Sequence, residues 1–214
     1  MKLMVLGASG WIGSTIVAEA IARGDEVTAL VRDQDNYQVD GVTAKTFDLN
    51  DNGVNISSLV SDETVCVAAI GGRALGNHEI VAQTATRLLS ELSNSSIQRL
   101  LWVGGAGSLE VTNGMKLIES PDFPAEYKDE AIAQGQALEV FRSTKNSSNL
   151  DWTFISPAAE IFPGDKSGKY RIGYEQLIMD EQGNSRISVE DYAVAFVDEI
   201  ENANNINKRI GVAY

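Results

Sequence analysis

The stretch GASGWIG, residues 7 to 13, constrains the fold of this chain more than any other segment. Three glycines at strict three-residue spacing follow directly on the apolar run KLMVL. Behind them Ile12, Ile16 and Ala20, with Val17 and Ile21 alongside, form an i, i+4, i+8 stripe that stops at Arg23-Gly24. The run reads as a buried strand and the stripe as a helix closed by glycine, so the motif sits in a strand-to-helix turn. Free N–H groups and the dipole at a helix start attract anions, and a turn without side chains lets a dinucleotide pyrophosphate reach the backbone. Gly7, Ser9, Gly10, Trp11, Ile12 and Gly13 are the expected contacts on this side, with Trp11 a candidate stacking group. The spacing is GxxGxxG rather than GxGxxG. Its force comes from its place after a strand, before a helix and at the start of a β-α-β unit. Glycines needed only for close helix-strand packing are the alternative.

The same alternation continues along the chain. Strand-like runs lie at 26–31, 42–47, 64–69, 99–104 and 151–156, and helical patterns at about 77–93, 125–143 and 189–202. Ser188 and Asp191 stand near capping-box spacing before the last helix. Strands apolar on both faces and separated by helices predict an α/β fold, a doubly wound parallel sheet, with residues 1–214 as one domain. Residues 157–187, broken by Pro157, Pro163, Gly164, Gly168, Gly173 and Gly183, are expected to form a rim loop and a short hairpin.

A formal net charge of −13 argues against nucleic acid or an anionic membrane as the main partner and leaves a small-molecule acceptor. No run approaches the roughly 18 apolar residues of a membrane span. The one cysteine, Cys66, lies in the apolar run TVCVAAI, which points to a buried thiol and a reducing cytoplasm. The single histidine, His78, has no Cys/His companions, so no metal site is expected; a helix-start role or one at the pocket mouth both fit.

Beyond the glycine motif, DLND after the third strand, GGRALGNHE after the fourth, LLWVGGAGSLE through the fifth and LDWTFISP through the sixth carry a resemblance that runs nearly end to end. The chain resembles the extended and atypical short-chain dehydrogenases/reductases. Within them it is similar to the bacterial group provisionally labelled NADH-flavin reductases, kin to biliverdin-IXβ reductase and to nitrogen-metabolite-repressor-like sensors. The resemblance implies that Asp48 or Leu49 meets the adenine, and that Ala69, Ile70, Gly71 and Gly72 run beneath the ribose and nicotinamide.

Cofactor choice is read at the end of the second strand. An acid there would favour NAD, whereas VTALVRD offers Arg32, whose guanidinium can grip the 2′-phosphate of NADP in two-pronged fashion. NADP(H) is therefore expected over NAD(H), with Asp33 as the residue that would favour NAD if the register slipped.

Orthodox relatives carry a Ser and a Tyr-x-x-x-Lys pair for proton transfer, and this chain lacks the pair: the tyrosine position falls near Glu130 and the lysine position near Gln134. Ser108 and Tyr127 remain as catalytic candidates and, with Pro157 and Phe162, as the expected substrate pocket. A conjugated ring acceptor, FMN, FAD or a quinone, taken as substrate rather than prosthetic group, needs little more than orientation against the nicotinamide. Reduction of such an acceptor by a monomer or weak homodimer is the leading expectation. A dinucleotide-binding sensor without chemistry and epimerase- or dehydratase-like chemistry are the alternatives.

Overall fold

The computed structural model describes residues 1–51, 53–73, 76–112, 114–144 and 149–214. Its eight-stranded central sheet contains β1 (Lys2–Leu6), β2 (Glu26–Val31), β3 (Val42–Thr46), β4 (Val65–Ala68), β5 (Arg99–Val103), β8 (Asp151–Ser156), β10 (Arg171–Gly173) and β12 (Lys208–Ala213). The order is β10-β12-β8-β5-β4-β1-β2-β3. Every neighbouring pair is parallel except β10 with β12. The chain starts in the middle, builds outward to β3, returns beside β1 as β4 and builds to the other side. That reversal between β1 and β4 opens a crevice above the carboxyl ends of the strands, where α/β sheets bind ligands.

Alternation along each strand feeds two cores. Leu3 and Val5 of β1 pack with Ile16, Val17 and Ala20 of α1 (Trp11–Ala22) and with Tyr192, Phe196 and Ile200 of α4 (Val189–Asn202). Met4 and Leu6 point the other way, toward Val81 and Leu88 of α2 (Glu79–Glu91) and Ala137 and Phe141 of α3 (Ala125–Ser143). The result is a sheet between two helical layers, a Rossmann-like α/β fold. Cys66 is fully buried on the α2–α3 side, where burial pushes its thiol well above the ordinary range.

The helix limits at 125–143 and 189–202 and the strand at 151–156 coincide with those read from periodicity, and Ser188 Oγ accepts the Asp191 N–H at 3.0 Å as the cap of α4. The rim differs from expectation. Residues 157–187 hold no hairpin: β9 (Glu160–Phe162) pairs in parallel with β11 (Arg186–Ser188), and β10 turns back to run antiparallel along β12. The hairpin lies instead at β6 (Glu110–Thr112) and β7 (Met115–Lys116). The reason is Asp191. Its buried carboxylate accepts the amides of Ser167 and Gly168 at 2.9 and 2.7 Å and the hydroxyls of Ser167 and Tyr214 at 2.6 and 2.7 Å. The middle of the segment is thus fastened to α4, while its two ends pair in parallel as β9 and β11.

Candidate active site

A cleft of about 560 Å³ lies above the ends of β1 to β5. All thirteen residues expected at the dinucleotide line it: Gly7, Ser9, Gly10, Trp11, Ile12, Gly13, Arg32, Asp48, Leu49, Ala69, Ile70, Gly71 and Gly72. Its volume is that of an ordinary small-molecule site.

The three glycines of the turn have different tasks. At Gly7 φ is +76°, and a β-carbon would lie 2.2 Å from the Ala69 carbonyl oxygen. At Gly13 it would lie 2.1 Å from the Gly7 carbonyl oxygen. Neither position can carry a side chain, because β1, β4 and α1 meet there. Gly10 is looser, its nearest neighbour being the Gly7 oxygen at 3.3 Å, and it is exposed. It is the cap residue of α1 and offers no side chain to the free amides of the first turn. Bareness at Gly10 therefore leaves an anion site open, and the cradle fits a pyrophosphate.

At one end of the cleft stand Arg32 and Asp48. Arg32 follows directly on β2, and its side chain has no hydrogen bond or ion pair among the described residues. Asp33 is turned away: its carboxylate accepts the amides of Asp35 and Asn36 at 3.0 and 3.3 Å and the Asn36 side chain at 2.6 Å. Asp48 combines two tasks, lining the cleft while accepting the amide and side chain of Asn50 at 2.9 and 3.0 Å.

The other end is formed by Gly104, Gly105, Glu130 and Gln134. Here the structure departs from the expected substrate wall, since none of Ser108, Tyr127, Pro157 and Phe162 lines the cleft. Ser108 accepts a 3.4 Å hydrogen bond from the buried Arg209 of β12. Pro157 is buried behind the end of β8. Phe162 packs edge-on against Tyr214 with Arg186 over its face. Tyr127 is exposed at the entrance, with the guanidinium of the cleft residue Arg73 4.4 Å above its ring.

Gln134 and Glu130, one helical turn apart on α3, form a connected set. The indole N–H of Trp102 donates to Gln134 Oε1 at 3.0 Å. Because an indole can only donate, the amide oxygen must face it, and Gln134 Nε2 is left to donate to Ile70 O at 2.9 Å and Glu130 Oε1 at 3.2 Å. Glu130 Oε2 accepts the Gly72 N–H at 2.9 Å and lies 3.1 Å from His78 Nδ1. His78 sits at the helix start that its sequence context predicts, whereas the sequence marks Glu130 and Gln134 only as replacements for missing residues. Their union across 52 positions of chain carries no local signal.

Among the described residues there is no cluster of His, Cys, Asp and Glu that could hold a metal, and no helix long and apolar enough to cross a membrane.

The family model described as NAD(P)H-binding matches residues 7–200. The chain is similar to a Burkholderia pseudomallei protein provisionally called exported, at 40% identity and a TM-score of 0.86, each chain covered in full. It is similar to a Streptococcus pneumoniae TIGR4 protein provisionally named an NADH-flavin reductase, with 35% identity, 100% of this chain and 99% of that one covered, and a TM-score of 0.87. A Bacteroides thetaiotaomicron protein provisionally named an epimerase matches at 31% identity, over 100% and 96% of the two chains, with a TM-score of 0.87.

Proposed function

Since the chain belongs to the NAD(P)H-binding family, we propose that it is a reductase that takes NADPH in preference to NADH and reduces a conjugated ring, a flavin or a quinone. The observation that carries the reading is Arg32. In a chain of net charge −13 it faces the cleft without a carboxylate partner among the described residues, while the neighbouring acid, Asp33, is held in its own turn. A free guanidinium at that strand end matches the 2′-phosphate that distinguishes NADPH. Gly7, Gly10 and Gly13 would hold the pyrophosphate, Asp48 and Leu49 the adenosine end, and Ala69 to Gly72 the nicotinamide half. When bound, the reduced nicotinamide supplies two electrons and a hydrogen as hydride. The protein's part is to orient the acceptor over the floor formed by Gly71, Gly72, Gly104 and Gly105. The excess of negative charge and the lack of a membrane-crossing helix among the described residues fit a small-molecule acceptor, met in the cytoplasm by a monomer or weak homodimer.

The test is to mix purified protein with NADPH and FMN or menadione and to follow loss of the reduced nicotinamide. Oxidation above the protein-free blank supports a reductase. Tight NADPH binding without oxidation overturns it in favour of a sensor.

A further inference from the structure

We propose that Glu130 is the group that gives the acceptor its proton, and that His78 reloads it from solvent. The proposal rests on the reductase reading. Reduction of a quinone-type ring by hydride leaves a negative charge on the far heteroatom, which a proton must meet. Glu130 is the one acid on the Gly104–Gly105 end of the cleft among the described residues. Its two oxygens are fixed from three sides, by the Gly72 amide, by Gln134 Nε2 and by His78 Nδ1. Gln134 is itself locked by Trp102 and Ile70, so the carboxylate is held by a supporting shell as a positioned acid or base must be.

The direction of transfer follows from exposure. The His78 side chain is 29% exposed and that of Glu130 18%, so the imidazole is the more open of the pair to water. With both ring nitrogens protonated, His78 passes the Nδ1 proton to Glu130 Oε2. Glu130 passes a proton to the anionic heteroatom, and solvent returns a proton to the vacated Nδ1, Nε2 having kept its own, which restores the imidazolium. One hydride and one proton enter the acceptor, and the protein ends as it began. Glu130 would thus occupy the place that a tyrosine fills in orthodox relatives, with His78, from another element, in support.

His78 is the only histidine, so the ring of the free protein gives one set of ¹⁵N resonances. An ionised Glu130 that accepts from Nδ1 selects the Nδ1–H tautomer of neutral His78, whereas a free imidazole favours Nε2–H. The Nδ1–H form is expected; the Nε2–H form overturns the relay. With NADPH and menadione, Glu130→Gln should lower kcat about 100-fold or more while leaving NADPH affinity, read by fluorescence titration, within about twofold. His78→Asn should cost about 10-fold, since water can reload the acid directly. Wild-type turnover should slow in D2O. Wild-type rates in Glu130→Gln overturn the proton role and leave the reductase standing; wild-type protein inert toward menadione and FMN removes the reductase reading itself. Should Glu130→Gln fail to fold, the wild-type tautomer and His78→Asn decide.

Discussion

A β-carbon on Gly13 would stand 2.1 Å from the carbonyl oxygen of Gly7, whereas one on Gly10 would stand 3.3 Å from that same atom. The two glycines of one motif are therefore separable by experiment. Gly13→Ala drives a methyl into backbone that cannot yield and should destabilise by at least ~3 kcal/mol or prevent folding. Gly10→Ala should cost no more than ~1 kcal/mol, the difference between glycine and alanine at a helix cap, yet weaken dinucleotide binding by blocking the open amides. Thermal melts and calorimetric titration of both variants check this. A Gly10→Ala protein that binds NADPH like the wild type would show that the pyrophosphate lies elsewhere.

Arg32→Ala should weaken NADPH by about 10- to 100-fold, the equivalent of one charge-assisted contact of ~1.5–3 kcal/mol, and leave NADH nearly unchanged. Parallel titrations with the two nucleotides read the difference. Equal losses for both would mean that Arg32 supports the strand end and not the phosphate.

Arg99 and Glu199 form a buried pair at the opposite end of the sheet. The guanidinium donates to Glu199 Oε1 at 3.1 Å and to the Glu199 and Ile200 carbonyls at 3.1 Å, while Glu199 also accepts the Asn205 amide at 2.9 Å. Arg99→Met leaves Glu199 without its countercharge and should cost ~3–5 kcal/mol in urea unfolding. Because the pair is remote from the cleft, NADPH affinity of the folded fraction should stay at the wild-type value.

Asp191 makes stability depend on acid. Burial pushes its carboxyl up, but the hydroxyls of Ser167 and Tyr214 and the amides of Gly168 and Ser167 outweigh it, so the net value is depressed in the folded state. A depressed carboxyl stabilises above its ordinary value of about 3.9 and loses that contribution as pH falls through its folded value. Urea midpoints should fall as the solution is acidified below about pH 4. Asp191→Asn should be less stable at neutral pH and show a flatter acid dependence, since its amide sets a donor against donors.

Cys66 should resist thiol reagents in the native protein and react once urea opens the core, because burial holds the thiol protonated and out of reach. Rapid native labelling would contradict its place between β1 and β5.

The parts legible from sequence are those whose signals are local. Ser188 with Asp191 marks the start of α4, the Ile12-Ile16-Ala20 stripe marks α1, and the glycine motif marks the turn between β1 and that helix. The strand β12 carries no strand signal in the sequence because KRIGVA opens on two cations and is interrupted by Gly211, although Arg209 is buried there by Glu175, far along the chain. The half of the cleft around the glycine turn, Arg32 and Asp48 comes from residues that each follow a strand, a position that counting along the sequence marks. The half around Glu130 joins the start of α2, α3 and the turn after β4. Ser108 looked available only because its partner Arg209 belongs to that unnoticed strand.

The division of the cleft has a practical consequence. Under the proposed function, choice of electron donor is concentrated at Arg32 and the turn before α1, while the wall that would meet the second substrate, Glu130 and Gln134, stands across the crevice on α3. On that reading the Arg32 end and the α3 wall share no side chain, so a library restricted to the α3 wall should yield new acceptors while every member still draws on the same coenzyme.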